Sequence, residues 1–149
     1  MRVNIPCLGV VACLGLGACG DDNGDKEETE FSGETAFQIQ AGRGQILYGR
    51  HCAECHGDSC QGDIGPRLVG LDEGALPLTP PPTRMVRMTD FVTVGDVAAF
   101  AVENMPPGQG GSLPTEDYLA ILAFALRANG ITLDQELDLE LAEGLTIPR

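Results

Sequence analysis

Cys52-Ala53-Glu54-Cys55-His56 sets two thiols three positions apart, with an imidazole beside the second. Thiols at this spacing can add across the two vinyl groups of one porphyrin and form two thioether bonds. The adjacent histidine is then held under the iron, where its imidazole is the proximal ligand. The run predicts one covalent haem c, with Cys52 and Cys55 as attachment points and His56 as a metal ligand. Two other readings of the cysteine pair fit less well. A thioredoxin-like redox pair needs a βαβ setting, and no strand pattern surrounds residues 52–56. A structural zinc needs four ligands, and the neighbouring candidates are Cys60 and His51, with no second Cys-x-x-Cys.

An iron that only passes electrons needs a second protein ligand. The methionines are Met1, Met85, Met88 and Met105. Met105 stands in Asn104-Met105-Pro106-Pro107-Gly108, just after a helical stretch. The prolines fix the backbone there, which suits holding a flexible thioether at one point. A soft, neutral sulfur favours Fe(II) and raises the potential. Met105 is therefore the expected distal ligand, with Met85 and Met88 as alternatives. His51 precedes Cys52 on the proximal side and reads as a surface residue. The free ring N–H of the proximal histidine requires an acceptor. Gly65-Pro66-Arg67-Leu68 offers the Pro66 carbonyl, and Leu68 then packs on the ring, so Pro66 and Leu68 join the cofactor-binding set.

Helices must position these groups. The first is expected from Ala41 to Cys52, the second from about Val94 to Glu103. The third has Thr115 as its N-cap, with Glu116 and Asp117 in its first turn. It carries apolar Tyr118, Ile121, Leu122 and Ala125 at helical spacing and stops at Asn129-Gly130. Between the first two lies a long loop marked by Gly57, Gly62, Gly65-Pro66, Gly70 and Pro80-Pro81-Pro82. No window alternates as a strand. The fold class is all-α, three to four helices around one haem. A core of roughly ninety residues is small, and the porphyrin supplies an apolar disc for side chains to pack around.

The ends carry other information. Residues 1–18 read as a lipoprotein signal peptide: Arg2, an apolar stretch, then small residues. Leu16-Gly17-Ala18-Cys19 resembles the bacterial lipobox, which makes Cys19 the expected lipidation site. More than one acyl chain gives stable anchoring to a membrane. Residues 19–36 are acidic and poor in apolar side chains, and read as a flexible tether with a reach of roughly 20–25 Å. Residues 37–130 form the haem domain and 131–149 an acidic C-terminal extension. There, leucines alternate with acids, as an amphipathic segment, a docking strip or a tail over the core. The chain carries a net charge of −13, which becomes −14 once Arg2 leaves with the signal. This argues against a nucleic-acid partner and favours a basic docking surface on a redox partner. Haem attachment takes place outside the bacterial cytoplasm, so the expected location is the cell envelope or periplasm.

With Gly44-x-x-x-Tyr48, the haem run, Gly65-Pro66-Arg67-Leu68, the Met105-Pro106-Pro107 loop and the last helix, residues 41–130 resemble the class I monohaem c-type cytochromes. That resemblance implies the cytochrome c fold, in which the first and last helices cross with a small residue against an aromatic; Gly44 and Phe124 fit those positions. A narrower likeness links Thr93-Val94-Gly95-Asp96, Met105-Pro106-Pro107-Gly108, Gly111-Ser112-Leu113 and Tyr118–Phe124 to cytochrome domains that accompany quinoprotein dehydrogenases. It implies a dehydrogenase as electron donor and a respiratory acceptor such as an oxidase. Related sequences carry glycine near Cys60. If that position needs a positive φ, cysteine is strained there; if the loop is reshaped, Cys60 is a free buried thiol. The leading function is a membrane-tethered one-electron carrier with His/Met ligation, which is not itself an enzyme. The alternative is a haem enzyme, or a peroxide or gas sensor, whose Met105 swings away.

Overall fold

Thr35 opens the first helix with a reciprocal cap. Its hydroxyl accepts the Gln38 N–H at 3.2 Å, while the Gln38 side-chain oxygen accepts the Thr35 N–H at 2.8 Å. This is the capping-box pattern, and it starts α1 (Ala36–His51) five residues before the expected Ala41. The computed structural model describes residues 33–70 and 90–148. Cys52 ends α1 as its C-cap, its N–H bonded to the Tyr48 carbonyl. One turn of helix, α2 (Ala53–His56), then carries the haem run.

The second long helix, α3 (Val94–Asn104), has its own capping box from Thr93 and Asp96. Backbone N–H groups of Thr93 and Val92 donate to the Asp96 carboxylate and hold it below the usual aspartate range. For α4 (Thr115–Ala128) the expected cap is displaced by one residue: Pro114 is the N-cap and Thr115 is already helical. The carbonyl of Pro114 accepts from Asp117 and Tyr118, so the first turn closes without a side-chain cap. A fifth helix, α5 (Leu139–Gly144), is capped by the Asp138 carboxylate. Among the described residues there is no strand, and Thr93 and Thr146 form an isolated bridge.

The helices α1 and α4 cross backbone to backbone. A Cβ added at Gly44 would lie 1.8 Å from the Ala120 carbonyl oxygen. The nearest partner of Gly44 is therefore the main chain of Ala120. Phe124, one turn further along α4, takes Tyr48 instead, with ring centroids 5.2 Å apart. Arg127 lies over the Phe124 ring and also donates to Gln45, and Arg43 pairs with Asp117. Almost every side of α4 is covered, in keeping with its near-continuous apolar sequence from Tyr118 to Leu126.

Residues 131–148 close the core. Leu137, Ala142 and Ile147 are buried with Phe37, Val94 and Leu119. Gln40 and Leu137 exchange two bonds of 2.8 Å, amide to carbonyl and N–H to amide oxygen. The Ile147 N–H reaches the Val92 carbonyl, and the Val94 N–H reaches that of Leu145. The acidic residues of this stretch stay outside while one face of its leucines goes in. Among the described residues, no helix is long and apolar enough to cross a membrane.

Replacing Gly44 with valine should push α1 off α4. Overpacking of this kind costs about 3 kcal/mol, to be read as a lowered urea midpoint of the holoprotein against a wild-type control.

Candidate functional site

The imidazole of His56 is 9% exposed. Its Nδ1 lies 2.7 Å from the Pro66 carbonyl oxygen. A carbonyl only accepts, so Nδ1 carries the proton; in the neutral ring this leaves the lone pair on Nε2, the form that binds a metal. The loop after α2 is folded to bring Pro66 there. Gly57 turns the chain at φ +78°. Gly62 N–H then donates to the His56 carbonyl, and Gly65 N–H to that of Cys55. Gly65 faces the ring so closely that a Cβ there would sit 2.9 Å from His56 Cε1. Glycine and proline are both needed in sequence, one to approach the imidazole and the next to fix the carbonyl.

The thiols of Cys52 and Cys55 are free and half-buried. As a thiol, Cys52 is pushed up to about 11 by burial, with Cys60 and Cys55 adding to the shift. Poised redox cysteines have lowered values, and the shift at Cys52 runs the other way. Two unbridged thiols beside an imidazole with a free Nε2 fit the donor set for haem c: two sulfurs for covalent attachment and one nitrogen for iron.

Leu68 packs with Tyr48, Cys60 and Ile121. The Tyr48 hydroxyl donates to the Gly57 carbonyl at 2.6 Å. Burial, then the adjacent Cys60 thiol, pushes this phenol well above its ordinary value, so it remains a neutral donor. Cys60 combines the two expectations for it. Its φ is +59°, and its side chain is fully buried and free. An L-residue in this region costs about 1 kcal/mol. The site tolerates that because Cys60 is fixed on both sides, its N–H on the Gly57 carbonyl and its own carbonyl on the Leu68 N–H. Burial also raises the thiol's pKa.

Met105 is half-buried and is the C-cap of α3. Met85, Met88 and Cys19 lie outside the described residues. Two contacts add to the sequence reading. Asn129, read there as part of a helix stop, donates to the Leu68 carbonyl at 2.8 Å and accepts the Gly70 N–H at 3.0 Å. It ties the end of α4 to the loop that carries Pro66. Tyr118, read as an apolar helix position, donates its hydroxyl to the Met105 carbonyl at 2.6 Å. A buried tyrosine usually finds a partner for its O–H, and that is the signal that could have drawn attention to it.

Comparison with known proteins places these features in context. Residues 40–124, more than half of the chain, match the family model described as cytochrome C oxidase, cbb3-type, subunit III. Cytochrome c-551 of Bacillus subtilis (strain 168) is 31% identical over 67 residues, which cover 45% of this chain and 58% of that protein. The chain thus matches little more than half the length of that relative. Among solved structures, the sulfane dehydrogenase SoxCD from Paracoccus pantotrophus is similar with a TM-score of 0.50 and 27% identity, over 91% of this chain and 68% of that one.

One labelling experiment checks the two kinds of cysteine. After iodoacetamide treatment, denaturing mass spectrometry of the purified protein should show one retained haem and no alkyl group on Cys52 or Cys55. Cys60 should be alkylated only in urea. A bare polypeptide with both motif thiols open to alkylation is the contrary result.

Proposed function

The chain belongs to the c-type cytochrome family described as cytochrome C oxidase, cbb3-type, subunit III, and from that premise we propose a lipid-tethered electron carrier whose single haem has His56 and Met105 as axial ligands. Electron transfer and covalent haem c are properties of the family. The assignment of the proximal side is carried by one observation: His56 Nδ1 is committed to the Pro66 carbonyl beside the free thiols of Cys52 and Cys55.

Bound through those thiols, haem c supplies a one-electron Fe(III)/Fe(II) couple. The chain's own residues supply position and polarity. The Pro66 carbonyl fixes the His56 tautomer and ring plane and makes Nε2 a stronger donor. Gly65 closes over the same ring. Leu68, Ile121 and Phe124 keep the surroundings apolar, which limits the solvent rearrangement that a change of charge would otherwise demand. Met105, at a helix end beside Pro106, offers a neutral sulfur that favours the reduced state. Were His56 and Met105 both to hold the iron, it would have no open site for a substrate.

Anchoring is proposed through Cys19 and the acidic segment of residues 19–36. The likeness to a chain of SoxCD, named as a dehydrogenase, supports a dehydrogenase as donor. The quinoprotein class is a proposal resting on the Thr93–Asp96, Met105–Gly108 and Tyr118–Phe124 segments. A respiratory oxidase is the proposed acceptor.

Two measurements test this reading. The oxidised protein should show the weak long-wavelength sulfur–iron charge-transfer band. It should be lost completely in Met105→Ala, with covalent haem retained, and kept in Met85→Ala and Met88→Ala. A wild type that lacks the band and binds carbon monoxide readily would instead favour the enzyme or sensor reading. Separately, Cys19→Ser should move nearly all of the protein from the membrane fraction to the soluble fraction; unchanged membrane association would remove the lipid anchor.

A further inference from the structure

We propose that Tyr118 is a positioning residue for Met105: its phenol, in the first turn of α4, holds the Met105 main chain in place and so governs how readily an outside ligand displaces the sulfur from iron. This rests on the reading of Met105 as the distal ligand.

Both backbone polar groups of Met105 are engaged, and by different helices. Its N–H donates to the Ala101 carbonyl of its own helix at 2.9 Å. Its carbonyl accepts the Tyr118 hydroxyl of α4 at 2.6 Å. Pro106 follows, with a fixed φ and no N–H of its own. Further along, the loop is fastened to the end of α3. Gly111 N–H reaches the Val102 carbonyl, and Gln109 N–H reaches that of Pro106. At Gly110 an added Cβ would lie 2.0 Å from the Glu103 carbonyl oxygen. These bonds close the loop on α3 itself. The Tyr118 bond ties it across to α4, the helix locked onto α1 at Gly44.

The hydroxyl is not explained by packing. Tyr118 is 3% exposed, and phenylalanine would fill the same ring volume. A buried O–H deprived of its acceptor pays its desolvation cost in full, so the phenol and the Met105 carbonyl resist separation. A methionine side chain has three rotatable bonds and does not hold its sulfur at one point unaided. Fixing the main chain on both sides narrows the positions that the sulfur can reach. Displacing it by an outside ligand requires this closed loop to give way, and the Tyr118 bond opposes that movement.

The test is an imidazole titration of the oxidised holoprotein, following loss of the sulfur–iron band. Tyr118→Phe keeps the ring and removes the donor. It should bind imidazole about tenfold more tightly, the order of factor a lost buried hydrogen bond gives. Placing 3-fluorotyrosine at Tyr118 supplies a more acidic, stronger donor and should shift the affinity the other way; it carries the test if the phenylalanine variant does not fold. An imidazole affinity unchanged by either replacement, in protein that keeps its band, overturns the positioning role while leaving Met105 as ligand. A wild type with no band to lose overturns the distal reading, and the positioning role with it.

Discussion

Where Gly44 of α1 meets Ala120 of α4, the two helices run with no side chain between their backbones, and the position of the haem run follows from that contact. One turn beyond Gly44, Tyr48 is buried against Phe124, and its hydroxyl reaches the Gly57 carbonyl at the end of α2. The short helix bearing Cys55 and His56 is thereby fixed to α4 through a single aromatic residue. At the far end of α4, Asn129 holds Leu68 and Gly70. The Pro66 carbonyl thus lies in a segment tied at one end to α2 and at the other to α4. If the two helices separated, both ties would lose their common support.

The chemistry of the site was legible because it resides in side-chain types at fixed spacing. Cys52, Cys55 and His56 announce themselves, and Gly65-Pro66 reads as a turn whose carbonyl is available. Helix ends were harder. Thr35-x-x-Gln38 is a capping box in plain view, but no apolar run follows it at once, and the expected start falls at Ala41. At Thr115 two signals compete, a hydroxyl cap and the preceding proline, and the extended Pro114 takes the cap. The tail was illegible for a different reason. Leucines at 133, 137, 139 and 141 alternate with acids, which suits strand, helix or coil, and only the packed structure shows that Leu137 turns inward while Leu139 remains half exposed. Tyr118 and Asn129 act through backbone atoms 13 and 61 positions away, and no sequence pattern names the partner at that separation.

Beside the His56 imidazole, the ties on the proximal side are made of groups that do not ionise near neutrality. The carbonyls of Gly57, Pro66 and Leu68, the Asn129 carboxamide and the Tyr48 phenol do the holding, and burial moves that phenol further from titration. Even the neighbouring thiol of Cys60 is shifted towards its neutral form. The charged residues of this region, Glu54, Asp58, Asp63 and Arg67, are exposed, where such charges set solubility and encounter rates.

The clasp between Gln40 and Leu137 joins residues 97 positions apart. Such a closure is non-local, and the entropy of bringing its ends together must be met before it forms, so it belongs among the late steps of folding. Until α1 and α4 meet, Tyr48 lacks its cover, and the cysteine pair just downstream is carried on an open thread. The architecture therefore leaves a window, before the long-range packing is complete, in which an attachment enzyme can reach both sulfurs.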